Sequence, residues 1–163
     1  MISTYKADVL VQEVITKKMN LIGMEQGVIG DKATKKFIFW VPIDNEKAIW
    51  LAGEIFTNSD GIIINFYCNK IFRNIEKRNY SEILSNAIEK IKKLNNCQEF
   101  EKNKKNILHF SINYHEFPAL IHIQSLIIID YNMNEKGFQK EFQEKLQEII
   151  DIIKKKWPYD LLE

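Results

Sequence analysis

The chain has 163 residues, 45% of them hydrophobic and 28% charged, which suits a single α+β domain over 1–163 with its own core and excludes a disordered or membrane-embedded composition. Basic and acidic residues nearly cancel, 23 against 22 for a net charge of +1, so charge points to neither nucleic acid nor an anionic membrane as a partner. Only Arg73 and Arg78 are arginines, which leaves little room for planar, bidentate recognition of phosphate or carboxylate.

From 5 to 19, Leu10, Val11, Val14 and Ile15 recur at helical spacing, with Ser3 or Thr4 as N-cap and Gly23 just beyond the end. Gly27, Gly30 and Asp31 mark turning backbone. Residues 37–41, Phe-Ile-Phe-Trp-Val, are bulky strand formers, and Pro42 is expected to stop them. Residues 48–57 and 62–69 read as two further strands joined through Asn58-Ser59-Asp60-Gly61, a strong hairpin signal. In the second of these, Ile62, Ile64, Phe66 and Cys68 share the core face, while Ile63, Asn65, Tyr67 and Asn69 share a half-wet one.

Tyr80, Ile83, Leu84, Ala87, Ile88, Ile91 and Leu94 form the stripe of a second helix, followed by a lysine-rich connector. Alternation over 108–114 and 119–130, broken at Glu116-Phe117-Pro118, reads as two more strands. A last helix, about 134–157, carries Phe138, Phe142, Leu146, Ile149, Ile150, Ile153 and Trp157 on one stripe, with Gly137 weakening its start and Pro158 ending it. The expected architecture is an antiparallel five-stranded sheet in the order α-β-β-β-α-β-β-α.

Chemistry-bearing patterns are sparse. His109 and His115 share a strand face but stand roughly 20 Å apart at ~3.3 Å per residue, too far for one zinc whose nitrogens sit about 2 Å away. His122, on the neighbouring strand opposite about Ile112, can pair with His115, yet a solvent-facing polar row is the ordinary reading. No GxSxG elbow or phosphate-binding glycine loop is present, and Cys97 lies at a helix end that does not activate a thiol. Acid pairs such as Asp8 with Glu13 or Glu148 with Asp151 sit on solvated helix faces. The expectation is no enzyme, no cofactor and no metal.

Aromatic content is more telling. Phe37, Phe39, Trp40, Trp50 and Phe56 lie on adjacent strands, and alternation forces Phe39 and Trp40 to point apart. Part of this set is left on an outer face unless a helix or a second chain covers it. Trp40, Trp50, Phe39, His109, His115 and His122 are therefore the candidate partner surface.

Element order, the stripe 83–94 leading through Asn95-Asn96 into the strand 108–114, and the strand-to-helix ending 127–157 together resemble the type III secretion chaperone-like fold, which includes secretion chaperones and the bacterial YbjN-type proteins. The resemblance spans about 5–157. It implies a compact, homodimeric α+β domain without catalytic residues that binds a polypeptide segment or regulates a partner. Secretion chaperones are characteristically acidic, and this chain is neutral.

The functional expectation is a protein-binding module, chaperone-like or regulatory, taking a protein partner or client peptide through a sheet face or edge. A small inhibitor or immunity-type protein, and a metal- or metabolite-responsive protein using the His109/His115/His122 hairpin, are the alternatives. Cys68 and Cys97 lie in no CxxC motif, residues 1–16 lack a signal-peptide pattern, and the apolar stretches 62–66 and 126–129 are too short to span a bilayer. These features lead to the expectation of a cytoplasmic location.

Overall fold

The computed structural model describes residues 1–24, 27–29, 32–34, 36–59, 61–68, 70–73, 75–95, 106–115 and 117–161. Helix α1 (Thr4–Glu13) starts at Ser3, whose hydroxyl oxygen accepts the Lys6 N–H at 3.1 Å. A π-helical segment, Val14–Lys18, continues it, and Asn20 at φ 53° ends the run in the left-handed region that often closes helices. Asn20 thus takes the role expected of Gly23. Gly23 instead lies in strand β1 (Ile22–Met24), where an added Cβ would stand 2.5 Å from the Phe37 ring.

The described residues hold eight strands: β1, then β2 (Gly27–Ile29), β3 (Lys32–Thr34), β4 (Ile38–Asp44), β5 (Ile49–Asn58), β6 (Gly61–Cys68), β7 (Asn106–Asn113) and β8 (Leu120–Ile128). Six form one antiparallel sheet in the order β1-β4-β5-β6-β8-β7, and β2 pairs with β3 separately. The main sheet therefore has six strands rather than the expected five. The extra member, β1, is three residues long with a glycine in the middle, too short to show alternation.

Pro42 does not stop β4. The strand runs through it to Asp44, with a register irregularity between the two. The reason is positional: β1 pairs only with Ile38, Phe39 and Trp40, so Pro42 lies past the end of β1 on an edge stretch of β4, where a proline is tolerated. The β5–β6 hairpin forms as expected, with Asn58 opposite Gly61; Asp60 lies outside the described residues.

Helix α2 (Tyr80–Asn95) carries the chain from β6 to β7, and β8 returns between those two strands. Helix α3 (Glu135–Lys156) is capped by Asn134, whose side chain accepts the Gly137 N–H at 2.7 Å. That bond supports the turn which Gly137 itself weakens.

One cluster of buried apolar side chains unites α1, α2 and α3 with one face of the sheet. It takes Leu10 and Val11 from α1, Val14 from the π-helical segment, Ala87 and Ile91 from α2, and Phe138, Phe142, Leu146 and Ile149 from α3. The sheet contributes Phe39, Leu51, Ile62, Ile64, Phe66, Phe110, Ile121 and Ile123. Fully burying a side chain of this size contributes about 1.5–3 kcal/mol.

Phe39 belongs to this core and corrects its place in the expected partner surface. It is fully buried, stacks edge-on against Phe66 at 5.9 Å, and lies over Gly53, its cross-strand partner. Alternation sends it inward and Trp40 outward.

Candidate functional site: the outer face of the sheet

The strand positions that alternate with the core residues make up the other face, on which no helix packs among the described residues. The register assigns to it Ile22 and Met24 on β1, Trp40 on β4, and Trp50, Glu54 and Phe56 on β5. Asn65 and Tyr67 come from β6, His122, Gln124 and Ile128 from β8, and His109 and Ser111 from β7. Ile38, on the same face, is fully buried.

A polar row crosses the middle of three strands. Tyr67 and Ser111 both stand opposite His122, and Asn65 and His109 both stand opposite Gln124. The His122 and Tyr67 rings stack 4.8 Å apart and 4° from parallel. His122 Nε2 lies 2.9 Å from Asn65 Oδ1, an acceptor, so the bond requires the proton on Nε2. Burial first, and then the charge of His109, push His122 below the usual histidine range. The cluster therefore favours a neutral imidazole. Beside it, Ile63, His109, Gln124, Ser125 and Leu126 line a hollow of about 240 Å³.

Apolar side chains flank this row. Ile22, Met24 and Trp50 are 61%, 47% and 40% exposed toward the β1 side, and Ile128 is 52% exposed at the end of β8. Lys36 reaches the same face, 3.5 Å above the Phe56 ring centroid and 3.8 Å from the Glu54 carboxylate.

Of the residues singled out from sequence, the structure brings His109 and His122 together and leaves His115 apart. His122 is opposite Ser111, one position from the expected Ile112. His115 lies beyond the end of β7, where its N–H donates to Asn113 Oδ1 and its ring sits 4.8 Å from Tyr114. It belongs to the hairpin tip with the exposed Phe117. Among the described residues no group of three or more His, Cys, Asp or Glu side chains gathers to hold a metal. The acids weighed as pairs have structural partners: Asp8 accepts from Thr57 at 2.8 Å, Glu13 from Gln139 at 2.9 Å and Asp151 from Gln147 at 3.0 Å. Cys68 is buried on the core face; Cys97 lies outside the described residues.

Sequence reasoning assigned Asn65 and Tyr67 to the right face but did not connect them to His122. It named Asn95 only as part of the passage from the second helix to the next strand. This residue, the last of α2, accepts the Phe110 N–H on its Oδ1 at 2.9 Å and donates from Nδ2 to the Phe110 carbonyl. The polar tract that follows it masked the signal, because an Asn at a helix end is ordinarily read as a cap.

Comparisons with protein-family models, with curated proteins and with solved structures find no match.

Proposed function

We propose that the chain is a non-enzymatic protein-binding module, chaperone-like or regulatory, that works as a homodimer through the outer face of its sheet. The observation that carries this reading is the set of exposed apolar side chains, Ile22, Met24, Trp50 and Ile128, around a polar row on a face without a helix among the described residues. Such a surface costs free energy in water and gains it when covered.

The geometry of the row favours contact over turnover. The Asn65 carboxamide and the Tyr67 ring hold the His122 imidazole in one orientation, which suits a row that presents fixed polar groups to a partner. The face is also a better binding surface than the β7 edge, since Asn95 already occupies that edge at Phe110. The six-stranded antiparallel sheet with its helices on one side is compatible with a type III secretion chaperone-like relationship, which stays part of the proposal. Among the described residues no helix is long and apolar enough to cross a membrane, and we place the protein in the cytoplasm.

The test is light scattering at micromolar concentration with and without Trp50→Glu and Ile22→Glu. The reading expects a dimer in the parent chain and a folded monomer in the double variant. A parent chain that is monomeric, with the same mass in the variant, overturns the homodimer. An inhibitor or immunity role would use the same face on one other protein and give a stoichiometric heterocomplex in place of the dimer.

A further inference from the structure

Among the described residues, strand β7 is the outer edge of the sheet, with β8 as its one neighbour in the strand order. In an extended strand the N–H and C=O of one residue point to the same side. Both groups of Phe110 bond to Asn95, so both point away from β8 toward the edge. A carboxamide presents one acceptor and a donor much as a peptide group does. The Asn95 side chain therefore stands in for one residue of a further strand. Its position is set by Ile91 and Leu94, which pack the last turns of α2 into the core.

The occupied position is an inner one on the edge. Residues turn outward every second position, so Asn106, Leu108, Phe110 and Ile112 offer their backbone groups there, and Phe110 is one of the inner two. An added strand would have to displace Asn95 or forgo an inner pair of bonds. Proteins commonly blunt exposed edges to prevent such pairing.

We propose that Asn95 is an autoinhibitory lock on the β7 edge, and that the pairing it excludes is β7 against β7 of a second copy of this chain. The occupant follows from the strand's self-complementarity about Phe110. Antiparallel pairing centred there sets Phe110 against its own copy, Leu108 against Ile112, and His109 against Ser111. Leu108 and Ile112 are core-facing and buried, so the two apolar faces would run into one another, while the polar positions would meet on the outer face. The lock acts on backbone atoms of the edge and the proposed contact surface on side chains of the face, so either can fail without the other.

Amide hydrogen exchange at Phe110 in the intact protein tests the lock directly. Protection comparable to that of amides inside the β7–β8 ladder is expected, although Phe110 faces the edge. In dilute Asn95→Ala that amide should exchange about tenfold faster or more. At higher concentration the variant should form an oligomer twice the parent's mass by light scattering. In that oligomer the Phe110 amide should regain its protection, because the new pairing uses the edge backbone and leaves the outer face as it was. Should Asn95→Ala fail to fold, Asn95→Asp takes its place: it keeps the acceptor but sets a carboxylate against the Phe110 carbonyl, and the same growth is expected. Open-edge exchange at Phe110 in the parent, an unchanged mass in the folded variant, or association that leaves the Phe110 amide unprotected overturns the proposal.

Discussion

His122 lies flat against Tyr67, with ring centroids 4.8 Å apart, while its Nε2 meets Asn65 Oδ1 at 2.9 Å. Two side chains of β6 thereby fix the imidazole of β8 on a half-open sheet face, and the folded state favours its neutral form.

That preference has a consequence for stability. The folded-state pKa is lowered, so between it and the unfolded value near 6.5 the unfolded chain binds more protons. The contribution is fully present above about pH 6.5 and is lost as pH falls through the folded value. Urea unfolding from pH 8 to pH 5 should show this decline, and His122→Gln should flatten it. An identical slope in the variant would remove His122 as its source.

The contact of Phe39 with Gly53 predicts a packing effect. An added Cβ at Gly53 would stand 2.6 Å from the Phe39 ring. Gly53→Ala should cost about 1–3 kcal/mol by overpacking, and Phe39→Ala about 3–5 kcal/mol by opening a cavity. Denaturant midpoints measure both, and neutrality of Gly53→Ala would mean that the ring has room to move.

These two sites show what sequence alone makes legible. The β5–β6 and β7–β8 hairpins follow from local alternation and short turns, so the faces of Phe66 and Phe110 are readable in advance. The Tyr67–His122 stack is not, because β6 meets β8 only after the chain has crossed α2 and β7. Pro42 misled for a related reason: whether a proline ends a strand depends on how far β1 extends, and β1 is a distant, three-residue pairing. Phe39 entered the partner set although its alternation with Trp40 was evident, since alternation separates two faces without saying which one the helices cover.

Helix α3 offers a local test. Asn134 supplies the N-cap bond to Gly137, and Asn134→Ala should cost about 0.5–2 kcal/mol, whereas Asn134→Ser should cost little. Thermal melts of the two variants compare them directly. Equal destabilisation by both would show that the cap bond is not the source.

The account's central claim is that the outer sheet face is where this protein is covered. Backbone amide shifts followed from dilute to concentrated solution test it most directly. The changes are predicted to gather at Ile22, Met24, Trp50, Tyr67, His122 and Ile128. Changes confined to the solvent side of α3, at Lys140, Glu144, Gln147 and Asp151, with the sheet face unmoved, would contradict it.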